Sequence, residues 1–316
     1  MRIGVLSNLR AGKKDSRVER VLRFLAAHPE ILHAETPDDA AVPAALSDFA
    51  RAGVETLVLN GGDGTVQLAL THLFGPRASG WQPWIAPIRG GRTNMTALDL
   101  GAHRDAVRGL AGLLAAVRTG RLAERVRVRS VLRIELAEGM HLGMFLGAGA
   151  LHRAVALTHR AFPDGRAQGV FGAGIVTGVL LARAAAGAMR GVLAPDKMRV
   201  SFDGVSQGPG EILLALATTL DRLFLRLRPF WGQEPAPVHV TTIAARARGL
   251  SRAAPGILRG RPPARACPAN GYVSRNVHEL VLQLDAGLVL DGELFDPQPD
   301  RVVRVGAVEG VRFLRA

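Results

Sequence analysis

Cysteine, lysine and tyrosine are almost missing from this 316-residue chain. A single cysteine, Cys267, excludes an internal disulfide and any cysteine-rich zinc site. Aromatic residues are only 5% of the sequence, too few for a surface that stacks bases, and no nucleic-acid motif is present, so a nucleic-acid partner is not expected. Lysine occurs only at Lys13, Lys14 and Lys197, so arginine carries nearly all of the net charge of +13. That surplus favours anionic partners such as phosphates and acidic lipids. The start, MRIGVLSN, lacks a charged leader followed by a long apolar run. The expected location is therefore the cytoplasm, with peripheral contact to the inner membrane face allowed. Long hydrophobic runs are also scarce. The most apolar stretch, 169–189, carries Arg183 and five glycines, and reads as a buried or lipid-facing helix rather than a span.

What is abundant is core material: 48% hydrophobic against 21% charged residues, enough for one large domain or two medium ones. Over the first 120 residues short apolar runs alternate with helical periodicity. Ile3–Leu6, Ile31–Ala34, Thr56–Leu59 and Trp84–Ile88 read as strands. Val18, Val21, Leu22 and Leu25 form one helical stripe, capped by Asp15 or Ser16. Residues 44–52 form another, and Ala106 to Val117 a third. Continuous apolar strands between amphipathic helices imply a parallel sheet covered on both faces. After Arg121 the period changes. Val126, Val128, Leu132, Ile134 and Leu136 alternate with polar residues, which is strand spacing. Further strands are expected at Arg199–Phe202, Glu211–Ala217, Val238–Ile243, Glu279–Leu284 and Leu288–Leu290, with Asp285 to Gly287 as a hairpin turn. Residues 251–270 read as a mobile loop rich in Pro, Gly and Arg. The fold class expected is an α/β N-terminal domain with a parallel sheet (1–122, with 300–316 returning to it), followed by a mostly antiparallel β-sandwich domain (123–299).

Three signals carry chemistry. Asn60-Gly-Gly-Asp-Gly-Thr65 follows a buried strand and precedes a helix expected to start near Thr65. Its glycines allow a sharp turn and close approach to a phosphate, and the helix start offers free N–H groups. Asp63 is out of place in a pure anion cradle, and suits either Mg²⁺ or a hydroxyl to be deprotonated. A second glycine turn, Gly90-Gly-Arg-Thr-Asn94, also follows a strand, and Thr93 and Asn94 are suited to phosphate or ribose. The third, Asp291-Gly-Glu293, gains value from its company.

In this order the three motifs resemble the catalytic domain of diacylglycerol kinases and the related sphingosine kinases, over nearly the whole chain. The resemblance implies an ATP-dependent lipid kinase using Mg²⁺. It gives Asp63 the catalytic and metal-linked role. Gly61, Gly62, Gly64 and Thr65 become the phosphate loop, and Asn8 and Thr36, with Gly91, Arg92, Thr93 and Asn94, lie near the nucleotide. Glu293 becomes a base or metal-linked acid, and either Asp63 or Glu293 can take the proton. Expected partners are a lipid substrate and a peripheral anionic membrane surface, with a homodimer left open. Leu223–Trp231 and the arginines of 246–265 fit such a surface, or else a half-buried strand with a solvated arginine face. The chain departs from its relatives at Gln67 and Leu68, where an Asn-Glu pair is usual, at Arg89 and Arg92, which lengthen the second turn, and at Met95 in place of an acid. A non-catalytic nucleotide- or lipid-binding protein and an NAD kinase-like enzyme are the alternative readings.

Overall fold

The computed structural model describes residues 1–9, 16–91, 93–161 and 191–316. The apolar stretch 169–189, Asp15 and Arg92 lie outside the described residues. The chain divides into two units, Met1–Ser130 with Glu309–Ala316, and Val131–Val308.

The first unit follows the strand–helix alternation of the sequence: β1 Ile3–Asn8, α1 Ser16–Ala26, β2 Leu32–Thr36, α2 Val42–Arg51, β3 Thr56–Gly61, α3 Asp63–Phe74, β4 Trp84–Arg89, α4 Met95–Asp99 and α5 Ala106–Arg118. The four strands are parallel in the order β2-β1-β3-β4. Both β1 and β3 are buried along their whole length, which explains their uninterrupted apolar sequence. Val5, Val58 and Ala86 face a core shared with Val21 and Leu25 of α1 and Leu110, Leu113 and Leu114 of α5. Leu6, Leu57 and Leu59 are buried too, as are Leu46 and Phe49 of α2 and Val66 and Leu70 of α3. The register aligns the carboxyl ends of the strands: Ser7 with Asn60, Asn8 with Thr36, and Gly61 with Arg89. Apolar side chains thus give way to polar ones at one edge of the sheet, where open α/β sheets bind ligands.

The second unit is a mostly antiparallel sheet. It contains β6 Gly139–Gly143, β7 Phe145–Gly149, β8 Asp196–Phe202, β9 Val205–Thr218, β10 Val238–Ala244, β11 Tyr272–Val277, β12 Leu280–Leu284, β13 Leu288–Leu290 and β14 Glu293–Phe295. It also holds most of β5 Val126–Leu136 and the first part of β15 Arg301–Leu314. The strands follow the path β14-β13-β7-β9-β8-β12-β15, with β10 and β11 joined through β9 and β6 paired to β5. Their inward residues, among them Leu146, Val200, Phe202, Ala217, Val240, Leu282, Leu288 and Val303, make one core. Two helices complete the unit, α6 Ala150–Ala161 and α7 Leu250–Ile257.

Several sequence expectations are corrected. The helix after the first glycine turn starts at Asp63, two residues earlier than expected, because Gly62 takes extended backbone and acts as its N-cap. Residues 251–270 are not a loose loop. They hold most of α7, whose Ala253 and Ile257 pack against Leu213, Ile243 and Tyr272. Pro255 obscured this helix, and small alanines make a weak stripe. Residues 223–231 form no strand but a short 3-10 turn, Phe224–Arg226, within irregular chain. Asp285 to Gly287 do not turn a hairpin, since β12 pairs with β15 and β8 while β13 pairs with β7 and β14. The hairpin lies one turn later, at Asp291-Gly292. Among the described residues no helix is long and apolar enough to cross a membrane.

Gly287 has a different task. A Cβ there would lie 2.6 Å from Nδ1 and 2.5 Å from Nε2 of His152, a buried residue of α6. Burial, then the nearby Arg153 guanidinium, lowers the pKa of His152, which favours the neutral ring in that gap. Gly287→Ala is expected to lower stability by about 1–3 kcal/mol through overpacking. The loss should shrink in a His152→Ala background, as a double-mutant cycle by urea unfolding would reveal. An equal loss in both backgrounds would place the strain elsewhere.

Candidate active site

The two glycine turns of the first unit meet backbone to backbone. A Cβ at Gly90 would sit 2.7 Å from the Gly61 nitrogen, and one at Gly91 would sit 2.9 Å from the Gly62 nitrogen. Side chains are therefore excluded from Gly90 and Gly91 by the first turn, whereas a Cβ at Gly62 would lie 3.7 Å from the Gly91 Cα, an ordinary contact. Gly61 is confined as well: its Cβ would lie 2.6 Å from the Thr65 Cβ, because Thr65 folds back over it. Gly64 differs, since a Cβ there would enter open space. The N-cap Gly62 offers no side chain to the first amides of α3, so a helix start without a side-chain cap faces the turn.

The polar side chains at the strand ends form one network. Asn8 Nδ2 donates to Thr65 Oγ1 and to Asp39 Oδ1, both at 3.0 Å. Thr36 Oγ1 donates to the Ser7 carbonyl at 3.4 Å, and Asn60 Nδ2 donates to Ser7 Oγ at 3.1 Å. The structure thus brings together Asn8, Thr36, Gly61, Gly62 and Thr65. Ser7 and Asn60 were missed as members, although each stands next to a residue that was singled out. Asn60 Oδ1 is buried without a hydrogen-bond partner among the described residues.

The second turn is closed by Asn94, whose backbone is left-handed with φ of 50°. Its Oδ1 accepts from the Gly91 nitrogen and its Nδ2 donates to the Gly91 carbonyl, both at 2.7 Å. Asn94 therefore shapes the turn with its own side chain. Thr93 is half-buried, and Arg92 lies outside the described residues. Arg89, at the end of β4, was read only as an insertion. Burial, then the nearby Arg104 guanidinium, pulls its pKa below the usual value.

Asp63 joins the two turns. Its Oδ2 accepts from the Met95 nitrogen and its Oδ1 from the Thr96 nitrogen, both at 3.0 Å. The carboxylate thereby caps α4 across the sequence. Met95 contributes its backbone amide here while its side chain is buried, so this departure from the apparent relatives serves the core. Gln67 is buried as well, with Oε1 unpartnered among the described residues. No group of three or more His, Cys, Asp or Glu suited to a metal occurs among the described residues.

The acid of the third motif sits in the second unit, on the hairpin between β13 and β14. Asp291 and Gly292 both have positive φ, 49° and 98°, as a two-residue hairpin turn requires. Asp291 repeats the device of Asp63. Its Oδ2 accepts from the Met144 nitrogen at 2.8 Å and its Oδ1 from the Phe145 nitrogen at 3.0 Å. Glu293 follows the turn and is exposed.

Burial pushes the Asp63 carboxyl above its ordinary value of 3.8, against the Thr96 and Met95 amides, which pull it down. The native state therefore holds this proton to higher pH than the unfolded chain does. Its stability relative to a non-titrating variant falls as pH rises from the unfolded pKa through the native one, then levels off. Asp63→Asn should gain on wild type across that window, read by urea unfolding in steps from about pH 4 upward. A difference that does not move with pH would mean that Asp63 titrates in the native state as it does unfolded.

Residues 2–124 match the family described as the diacylglycerol kinase catalytic domain. No curated protein matches the chain's sequence. Among solved structures, a diacylglycerol kinase from Bacillus anthracis str. Sterne aligns with TM-score 0.65 at 15% identity, over 100% of this chain and 97% of that one. Yeast NADH kinase complexed with NADH aligns with TM-score 0.53 at 11% identity, over 100% of this chain and 84% of that one. At such identities the likeness is one of fold. The family match is confined to residues 2–124, and the chain has the fold of the bacterial diacylglycerol kinase-like proteins.

Proposed function

We propose that the chain transfers the γ-phosphoryl group of ATP to the hydroxyl of a diacylglycerol-like lipid. The observation that carries this reading is the contact of two glycine turns at the carboxyl ends of β3 and β4, beside the uncapped start of α3. Backbone amides at such a place suit phosphate oxygens, and the open space beside Gly64 leaves room for them. Asn8, Thr36, Thr65, Gly91, Arg92, Thr93 and Asn94 are assigned to the nucleotide's surroundings, with Asn94 acting through the shape of the turn. Magnesium would enter with the phosphates, which is how this ion is commonly held, with Asp63 as the carboxylate beside it. Bound nucleotide supplies the phosphoryl group and the leaving ADP.

The base is assigned to Glu293. Both Asp63 oxygens already accept backbone amides, which ties that carboxylate to positioning and charge. Glu293 is an exposed carboxylate on a hairpin that Asp291 fastens to β7. In the reaction the lipid hydroxyl oxygen bonds to the γ-phosphorus, the bond to the bridging oxygen of ADP breaks, and Glu293 takes the hydroxyl proton. Catalysis of this kind is mainly positioning and charge neutralisation. The engagement of Asp63 with two amides also favours a second reading, a nucleotide-binding protein without turnover.

The test is to incubate the protein with γ-labelled ATP, Mg²⁺ and detergent-dispersed diacylglycerol. Labelled lipid is expected. Glu293→Gln should lower kcat by about 10²–10⁴-fold with the KM for ATP unchanged. Asp63→Asn should also lose turnover while remaining folded. Near wild-type turnover in Glu293→Gln would remove it as the base. Nucleotide binding without any labelled lipid would favour the second reading.

A further inference from the structure

Nine of the chain's thirteen net positive charges lie in residues 222–275, which contain ten arginines and one acid, Glu234. All ten arginines are exposed. Glu234, already counted in that net of nine, is held in place by its Oε2 accepting from the backbone nitrogens of Gln233 and Asn276 at 3.0 and 2.9 Å. Arg246 has a distant partner, Glu211, at 3.9 Å.

The arginines sit on a well-fastened frame. Leu223 and Phe230 are buried and root a tight loop between them, closed by the Leu223 nitrogen donating to the Leu227 carbonyl at 2.8 Å. The Arg228 nitrogen donates to the Leu258 carbonyl at 2.8 Å, which ties this loop to the chain leaving α7. Gly260 lies against it, since a Cβ there would be 3.0 Å from the Arg228 carbonyl oxygen. Arg228, two residues after Arg226, therefore emerges beside the segment that carries Arg259 and Arg261. At the tip of the loop is Leu225, 51% exposed and in left-handed backbone with φ of 56°. A leucine has nothing to gain in such a place from the fold itself.

We infer that the loop 223–228, with Leu225 at its tip and Arg226, Arg228, Arg259 and Arg261 around it, docks the protein on an anionic lipid bilayer. Guanidinium groups pair with lipid phosphates two oxygens at a time, and a leucine enters the interface below them. Nucleic acid fits less well, because the aromatic residues here are turned inward: Phe230 is buried and stacked on His239, and Trp231 is half-buried. The inference draws on the lipid kinase reading only for why a membrane is useful, and its test uses neither ATP nor substrate.

The experiment is sedimentation of the full chain with vesicles of phosphatidylcholine alone or mixed with phosphatidylglycerol. Binding to the anionic vesicles should be at least about tenfold tighter, and salt raised toward about 1 M should release it. Leu225→Asp, and separately the triple variant Arg226→Glu, Arg259→Glu, Arg261→Glu, should each weaken binding about tenfold or more. Their urea unfolding should stay as wild type. Equal binding to both vesicles, wild-type binding by both variants, or tighter binding to a duplex oligonucleotide than to anionic vesicles at one salt concentration would overturn the inference. Should the vesicle results hold while no lipid is ever labelled, the docking surface stands and the kinase reading falls.

Discussion

The approach of Gly62 to Gly91 sets the geometry of the first unit's functional edge. Two strands of a parallel sheet end about 4.8 Å apart, and the turns that follow must share that narrow space. Only backbone without a Cβ allows it. Once the turns touch, α3 has to start at once, with Gly62 in extended backbone, and its first amides are left open to a ligand. The same contact places Asp63 within reach of the α4 amides. A larger residue at 90 or 91 would therefore displace the first glycine turn, the helix start and the carboxylate together.

Asp63 and Asp291 show one physical solution used twice. In each, a buried carboxylate accepts two consecutive backbone N–H groups from a segment distant in sequence. The two bonds satisfy groups that would otherwise be left unpaired and costly, and they fix orientation because both oxygens are engaged. An asparagine in either place would present an NH₂ group to one of the two donors. Asp is thus required for shape before any question of chemistry arises. This explains why Asp291, rather than Glu293, is the more buried acid of the third motif.

Much of the first unit was legible because parallel-sheet strands are long apolar runs and its helices have clear stripes. Two strand ends were legible for the same reason, since apolar residues stop at Asn8 and Asn60, whereas Thr36 ends the mixed strand LHAET and was pointed to by the family resemblance. The second unit was harder to read. β6 and β7, GMHLG and FLGAG, are glycine-rich, so their strand character comes from burial against neighbours rather than from propensity. α7 is built from alanines around a proline and is held by Tyr272 and Ile243 beneath it. The hairpin was misplaced by one turn because Asp285 to Gly287 and Asp291-Gly292 look alike as turn signals. What separates them is that His152 fills the space beside Gly287, a contact between residues far apart in sequence.

The departures at positions 67, 68 and 95 acquire a physical meaning once the backbone is known. At position 95 the fold uses an amide for Asp63 and a buried side chain for the core, and methionine supplies both. An acid at 95 would put a second carboxylate next to Asp63, raising the cost of ionising either one. With methionine there, position 95 adds no second carboxylate to the one that Asp63 presents to the α4 amides. Gln67 keeps an amide side chain, one methylene longer than asparagine, within α3, and Leu68 is half-buried. The edge has therefore lost negative charge while keeping its glycine geometry and gaining Arg89. That is the direction the proposed function calls for, since acids at this edge would repel phosphate oxygens.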